Sequence, residues 1–234
     1  MMNWRLGTAL LMSSVLLVGC DDDDDDPIEP VPGVAAVRFV HASGASPAVN
    51  ITVDDAAAAN NLAFGTSAPY QDVEEGSRTF EVTEAGGAAA AFDTVRTMVE
   101  DERVSFVVVG AAGALSSLIL DDDNAAPAAG MTRLRIVHAS PTAGAVDIFV
   151  TAPDEDLSLA TPVMTNVANG DFETLTEMAG GDYQIRVVAT GTTDPVVVNS
   201  GPQTFAAGSV RTIIVADNPA GSAEPYRTII LTDL

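Results

Sequence analysis

Apolar and polar residues alternate with a period of two along much of the chain, which is the pattern of half-buried β-strands. Residues 49–53 alternate valine or isoleucine with Asn50 and Thr52, and residues 183–187 follow the same pattern. Two continuous β-branched runs, at 106–109 and 213–215, predict central strands that are covered on both faces. No segment keeps a sustained helical period, so the pattern predicts an all-β fold.

The strand pattern occurs twice. Residues 37–43 read VRFVHAS, and residues 134–140, exactly one 97-residue step later and without a gap, read LRIVHAS. Each copy also closes on a similar apolar run, at 118–120 and at 229–231. A spacing near a hundred residues is the size of a complete small domain, so we interpret the chain as two copies of one domain in tandem.

Each copy contains seven or so strand patterns separated by turn signals. This predicts a β-sandwich of immunoglobulin-like or transthyretin-like type, with a closed barrel as the alternative. We place the first copy at 34–124, a linker at 125–130 and the second copy at 131–234. Because each copy is large enough to bury a core of its own, we expect neither to need the other to fold.

The N-terminal residues indicate where in the cell the protein is expected to lie. Residues 1–19 have the basic start and short apolar core of a signal peptide, and Leu17-Val18-Gly19-Cys20 resembles the lipobox of bacterial lipoproteins. We therefore expect Cys20 to carry lipid, the alternative being an ordinary secretory signal with an incidental cysteine. Cys20 is the only cysteine, so no intramolecular disulfide can form.

Residues 20–33 predict an extended acidic tether, because six successive aspartates repel one another and three prolines stiffen the segment. The expected location is the bacterial cell envelope, on the periplasmic face or the cell surface, with the membrane as a partner through the N-terminal lipid. An aspartate after the lipidated cysteine resembles an inner-membrane retention signal, whereas an acidic run there resembles a surface-export signal, so the membrane stays open.

The charge of the chain narrows its partners. The formal net charge is -23, and all ten basic residues are arginines. Residues 1–33 contribute seven acids and Arg5, which leaves about -17 on the rest. Nucleic acids and anionic headgroups would be repelled by such a surface. We interpret the scattered acids as a device for solubility in a salty medium rather than as a site for a cationic partner.

The repeated motif has a family resemblance. The series R-[FI]-V-H-A-S, then A-V-[ND]-[IF], then an aromatic residue ahead of a glycine-led strand resembles the DUF4397 family, over residues 34–234. The aromatic residues are Tyr70 and Phe172, and the glycines are Gly76 and Gly181. The resemblance implies a bacterial envelope domain, often lipidated and often in tandem, without an assigned activity. The first copy departs from the second at Gly44 for Pro141 and Asn50 for Asp147.

Candidate chemistry centres on His41 with Ser43 and on His138 with Ser140. Each pair would lie on one side of a continuing strand. A hydrolase would need a carboxylate to orient the imidazole, and the candidate Asp147 is replaced by asparagine in the other copy. We therefore predict no catalytic residues and interpret the four side chains as a structural motif, in which each histidine bonds the backbone of the following bend.

The sequence offers few residues that could form a metal or cofactor site. One histidine in each copy and no thiol in either exclude the usual zinc sites. Acids at 121–124 or 154–156 could offer oxygens to calcium, but their spacing does not match an EF-hand loop, so we interpret them as solvated. We predict no metal and no cofactor.

The sequence as a whole predicts a lipid-anchored protein, not an enzyme, that binds or scaffolds an unknown envelope protein or glycan. A calcium-dependent adhesin or glycan-binding module is the first alternative. A hydrolase using the His-Ala-Ser positions is the second.

Overall fold

The computed structural model of the chain describes residues 32–123, 125–174 and 177–234. The predicted signal peptide, Cys20 and the predicted tether up to residue 31 lie outside the described residues. The described residues form seventeen β-strands in four sheets. No helix within them is long and apolar enough to cross a membrane. The predicted all-β class is therefore confirmed.

The first repeat contains eight strands in two sheets. Their bounds are β1 (Val34–His41), β2 (Val49–Val53), β3 (Ala56–Leu62), β4 (Gln71–Glu74), β5 (Gly76–Glu84), β6 (Ala90–Met98), β7 (Arg103–Ala111) and β8 (Ala114–Asp121). One sheet has the order β4-β1-β7-β8 and the other has the order β3-β2-β5-β6. Strands β1 and β7 are parallel, while the other pairs are antiparallel.

The second repeat follows the same plan with nine strands. Their bounds are β9 (Met131–Ala139), β10 (Val146–Thr151), β11 (Met164–Val167), β12 (Phe172–Thr174), β13 (Met178–Ala179), β14 (Gly181–Ala189), β15 (Val196–Phe205), β16 (Val210–Asp217) and β17 (Tyr226–Thr232). The sheet orders are β12-β9-β16-β17, to which β13 adds on β9, and β11-β10-β14-β15. Here too the central pair, β9 and β16, is parallel.

Each repeat buries an apolar cluster between its two sheets. In the first repeat Phe39, Phe80 and Phe106 are within 1% of full burial. In the second, Ile136, Ile148, Ile185 and Ile213 take the corresponding interior. Two facing sheets around an apolar interior are a β-sandwich, and the closed barrel is not what forms.

A third apolar cluster lies between the repeats. It contains Val40, Ala42, Val107, Val109 and Leu120 from the first repeat, and Val137, Ala139, Ile214, Ala216, Ile229 and Leu231 from the second. The alternation along 106–109 explains this, because Phe106 and Val108 point into the first repeat's own core while Val107 and Val109 point at the other repeat. The predicted two-faced burial of this run is confirmed. The expectation that each repeat folds alone stays a prediction.

The hairpin between the second and third strands differs between the repeats. Asp54 and Asp55 alone join β2 to β3, whereas residues 152–163 join β10 to β11. We call this twelve-residue segment the strap. Its Leu157 is 6% exposed and packs with Phe149 and Val188 on the outer face of the second repeat.

Candidate functional site

Two arginines lie in the contact between the repeats. Arg38 on β1 and Arg135 on β9 occupy the same place in the repeated motif and are only 3% and 6% exposed. Because side chains alternate along a strand, Arg38 shares a face with Val40, which packs against the other repeat. The arginine of the motif is thus directed into the interface, at the edge of the shared apolar cluster.

Arg38 is bonded to both repeats. Its Nε donates to Ser105 Oγ in its own repeat at 2.6 Å. Its Nη1 donates to the backbone oxygen of Thr232 in the second repeat at 3.0 Å, and its Nη2 donates to the Asp233 carboxylate. Every one of its three nitrogens is therefore engaged.

Arg135 makes the mirror set of bonds. Its Nε donates to Thr212 Oγ1 in its own repeat at 3.0 Å. Its Nη1 donates to the backbone oxygen of Asp121 in the first repeat at 2.8 Å, and its Nη2 donates to the Asp122 carboxylate. Each repeat therefore sends its arginine to the aspartate that follows the last strand of the other. We call Arg38, Ser105, Asp122, Arg135, Thr212 and Asp233 the interface cluster.

The two carboxylates of the interface cluster are also held from their own repeats. Ser105 Oγ donates to Asp122 at 2.7 Å, and Thr212 Oγ1 donates to Asp233 at 2.7 Å. The Asp122 and Asp233 side chains are 0% and 3% exposed. Buried ions that are paired and hydrogen-bonded on all sides are stable in place, but losing one partner leaves a buried charge uncompensated.

Tyr70, a residue of the first repeat, also contacts the interface cluster. Its hydroxyl donates to Asp122 Oδ2 at 2.6 Å, and its ring lies under the guanidinium groups of Arg38 and Arg103, 5.0 and 4.1 Å from ring centroid to Cζ. Burial, and then the hydrogen bond to Asp122, raise the pKa of Tyr70 to about 12. The phenol therefore stays protonated and serves as a donor to the carboxylate.

The interface cluster corrects one sequence-based interpretation. We expected the acids at 121–124 to be solvated, and this is wrong for Asp122, whose side chain is fully buried. The reason is Arg135, which arrives from the other repeat. A usable signal was present, because each copy has an arginine inside a buried strand and an aspartate two residues after its closing apolar run, at Asp122 and Asp233.

The two histidines lie at strand ends and are completely buried. Nε2 of His41 is 2.8 Å from the backbone oxygen of Pro47, and Nε2 of His138 is 2.8 Å from that of Gly144. A carbonyl oxygen only accepts, so Nε2 carries the proton in each ring. Burial lowers the pKa of His41 from its ordinary value of 6.5. The His41 ring is therefore a neutral structural group.

The serines of the motif face other partners. The backbone N–H of Ser43 donates to Nδ1 of His41 at 3.4 Å, and the Ser140 N–H does the same to His138. The Ser43 hydroxyl donates to the backbone oxygen of Gly110 at 2.8 Å, and that of Ser140 donates to the Asp217 carboxylate. In each pair the histidine nitrogen meets the serine backbone rather than its hydroxyl, unlike a nucleophile and its base.

Asp147, the candidate third group of a hydrolase, is engaged elsewhere. It accepts from the backbone N–H groups of Asn166 and Gly191, both at 2.8 Å. In the first repeat Asn50 accepts likewise from Asn61 at 2.7 Å. Asn61 and Asn166 have φ angles of 51° and 53°, so the side chain at this position braces a left-handed residue in the neighbouring strand.

The difference between Gly44 and Pro141 also has a structural reason. A Cβ on Gly44 would lie 2.3 Å from the backbone oxygen of Asp217 and 2.7 Å from the carbonyl carbon of Asn218. The second repeat's backbone therefore lies directly against Gly44, and only glycine fits. Pro141, at the same place in the second repeat, is exposed.

The acids proposed as possible calcium ligands point to separate partners. Asp121 pairs with Arg96 at 2.7 Å and Asp123 with Arg133 at 3.2 Å, while Asn124 lies outside the described residues. In the strap, Glu155 and Asp156 accept from the backbone at Ala152 and Ser158. Among the residues that the structure describes, no group of three or more His, Cys, Asp or Glu could hold a metal ion.

Two open grooves lie at matching edges of the two repeats. One runs between β11 and β12, with a volume of about 610 Å³, and the other runs between β3 and β4, with about 310 Å³. Each pair consists of the terminal strands of its repeat's two sheets. The larger groove exposes Phe172, at 48%, and Val163, at 37%.

The register shows that Phe172 is not the equivalent of Tyr70. Phe172 lies opposite Val137, and the residue opposite the corresponding Val40 is Ser67. The two aromatic residues hold similar places in the sequence, but they are not structurally equivalent. Tyr70 belongs to the interface, whereas Phe172 belongs to the groove.

Comparison with known proteins identifies a family match. Residues 35–149 match the family described as "Domain of unknown function (DUF4397)", which covers the first repeat and the second repeat as far as β10. No curated protein sequence matches the chain.

Among solved structures the chain is similar to a family 26 carbohydrate-binding module from Eubacterium rectale Amy13K, in complex with maltoheptaose. The identity is 10%, the match covers 85% of this chain and 96% of that one, and the TM-score is 0.28. A putative cell adhesion protein from Bacteroides eggerthii is 9% identical over 86% of this chain and 95% of that one, with a TM-score of 0.20. Scores this low carry no argument about a ligand.

Proposed function

Because this chain belongs to the DUF4397 family, whose function is unknown, we propose its role from its own chemistry: a lipid-anchored protein of the bacterial cell envelope that presents two joined β-sandwich repeats for binding or scaffolding. Cys20 would carry the lipid, and residues 21–33 would lift the folded part from the membrane. The lipobox-like Leu17-Val18-Gly19-Cys20 supports the anchor.

The observation that carries the binding role is that the side chains of the repeated motif are engaged in hydrogen bonds within the fold. His41 and His138 bond the bends that follow them, and Arg38 and Arg135 bond the opposite repeat. The most distinctive residues of the chain therefore stabilise the fold and the contact between the repeats. Strand edges at the surface suit recognition of a partner, whereas a catalyst needs reactive groups that face a substrate.

The anchor is tested by expressing the full chain with Cys20→Ala in a bacterium that processes lipoproteins. We expect loss of metabolic labelling with a fatty-acid probe and loss of membrane association. Asp26→Ala, which keeps the cysteine, is the matched control and should keep both. Unchanged labelling in Cys20→Ala would refute the anchor.

The non-catalytic role is tested on purified residues 34–234 with a panel of activated ester substrates. We expect no turnover above that of the His138→Gln variant. Turnover that disappears on His138→Gln, with folding retained by circular dichroism, would replace the binding proposal with the hydrolase alternative.

A further inference from the structure

The groove between β11 and β12 is built from two strand edges. Its lining is Val163, Met164, Thr165, Asn166, Val167, Gly170, Asp171, Phe172 and Glu173. Because β11 and β12 each end their sheet, alternate backbone N–H and C=O groups on their outer sides face the groove rather than another strand. Edges of this kind accept an extended peptide as an added strand.

The corresponding groove of the first repeat is smaller and is crossed by side-chain hydrogen bonds. Gln71 on β4 donates to the backbone oxygen of Ala58 on β3 at 3.0 Å, which ties the two edges together. Arg78 adds bonds to the Glu74 oxygen and the Asp54 carboxylate, both at 2.9 Å. The first groove is therefore bridged by side chains, and it has about half the volume of the second.

The second repeat lacks the arginine of this bridge. Counting from the glycine that begins each strand, Tyr183 on β14 occupies the place of Arg78 on β5. The Tyr183 hydroxyl donates to the backbone oxygen of Ala179 at 2.8 Å. Phe172, where the first repeat has Ser67, adds an exposed aromatic ring. The groove thus combines open edges with an apolar contact.

Charge selects among the possible occupants. Asp171 and Glu173 flank Phe172 and are exposed, and the folded part as a whole carries about -17. A strand with basic side chains on one face and apolar side chains on the other would match both the carboxylates and the Phe172 ring. A strand with acidic side chains would be repelled.

We propose that the groove between β11 and β12 binds an extended peptide segment of a partner protein with alternating basic and apolar residues, by adding it as a strand. This inference rests on the proposed binding function and names the class of partner. It does not depend on the lipid, so a failure of the anchoring experiment would leave it intact.

The test uses residues 34–234 labelled with ¹⁵N and a synthetic octapeptide of alternating lysine and valine. We expect saturable shifts of amide signals at residues 163–173 and none at the β3–β4 groove. Phe172→Ser should weaken binding about tenfold, which corresponds to about 1.4 kcal/mol for the loss of an aromatic anchor. Val95→Ser, at a valine that is 61% exposed on β6, is the matched control and should leave the affinity unchanged.

Two further probes decide the chemistry. An octapeptide of alternating glutamate and valine should not bind, and a peptide of four lysines followed by four valines should bind more weakly than the alternating one. The proposal is overturned if the alternating lysine peptide produces no shifts, if the protein binds the block peptide with equal affinity, or if Phe172→Ser binds the alternating peptide as well as the parent does. Shifts at 163–173 with a neutral oligosaccharide, in the absence of peptide binding, would instead assign the groove to a glycan.

Discussion

The two repeats are alike where they face each other and different where they face solvent. At the interface, Arg38 and Arg135 make matching bonds to hydroxyl, carbonyl and carboxylate partners. At the outer edges, the two-residue turn of one repeat is replaced by the strap in the other, and the smaller groove that Gln71 crosses corresponds to a groove of about twice its volume. The residues of the repeated motif therefore build the contact between the repeats, whereas the residues that depart from it form the outer edges.

The similarity is not complete even at the interface. The backbone of the second repeat lies directly against Gly44, whereas Pro141 is exposed. Tyr70 of the first repeat adds a hydroxyl donor to Asp122. The first repeat is therefore adapted to receive the second.

The largest effect should come from breaking the interface cluster. Asp122→Ala removes the carboxylate that accepts from Arg135, Ser105 and Tyr70, and it leaves a buried guanidinium uncompensated. We expect a loss of about 3–5 kcal/mol in the free energy of unfolding, measured by urea denaturation of residues 34–234.

The neighbouring Asp123 is the matched control. Its side chain is 69% exposed and pairs with Arg133. Asp123→Ala should cost no more than about 1 kcal/mol, since exposed ion pairs contribute little. Equal losses from Asp122→Ala and Asp123→Ala would show that the buried ion pairs of the interface cluster are not a principal source of stability.

The next largest effect should be a difference in stability between substitutions at the equivalent positions Gly44 and Pro141. Gly44→Ala places a Cβ 2.3 Å from the Asp217 oxygen, so the repeats must separate locally or the backbone must shift. We expect a loss of about 3 kcal/mol, at the upper end of the usual cost of overpacking. Pro141→Gly, at an exposed position, should cost less than about 1 kcal/mol. A Gly44→Ala variant as stable as the parent would contradict the close contact between repeats.

A smaller effect concerns His41 and pH. Its pKa is lowered in the folded state, so the unfolded chain binds the proton more tightly. The neutral ring thus contributes stability that is fully present above about pH 6.5 and is lost as the pH falls from there toward the folded-state pKa. Thermal melts between about pH 7.5 and 5.5 should show this decline.

His41→Gln should flatten the decline and lower the melting temperature at neutral pH. Loss of the bond from the buried His41 ring to the Pro47 oxygen should cost about 1 kcal/mol, because Ser46 Oγ still donates to that oxygen. Ser43→Ala is a milder control, since it removes only the hydroxyl bond to Gly110. A decline with pH that is the same in the parent and in His41→Gln would exclude this histidine as its source.

The smallest effect is the response to salt. Repulsion among about 17 excess negative charges should weaken as the Debye length falls from about 10 Å at 0.1 M salt to about 3 Å at 1 M. The melting temperature should therefore rise modestly with sodium chloride, and calcium at matched ionic strength should add little. A large, saturable shift at sub-millimolar calcium would favour the calcium-dependent alternative.

The sequence predicted the local structure well because strand period and burial are local properties. The alternation at 49–53 and the continuous run at 106–109 identified strands and even the two-faced burial of β7. What covers the second face was not predictable from either copy alone, since the shared cluster is made by residues about a hundred positions apart. The bonds of Arg38 with Asp233 depend on the arrangement of two domains, which no local period encodes.

The central claim is that each repeat's arginine is energetically coupled to the other repeat's terminal aspartate. A double-mutant cycle with Arg38→Met and Asp233→Asn, on residues 34–234 under urea denaturation, measures that coupling directly. The more exposed pair of Arg96 and Asp121, whose side chains are 25% and 78% exposed, provides the reference cycle, for which we expect about 0.2–1 kcal/mol. We predict a coupling between Arg38 and Asp233 of about 2–3 kcal/mol. Additive single-mutant effects, with a coupling no larger than that of the exposed pair, would contradict the account.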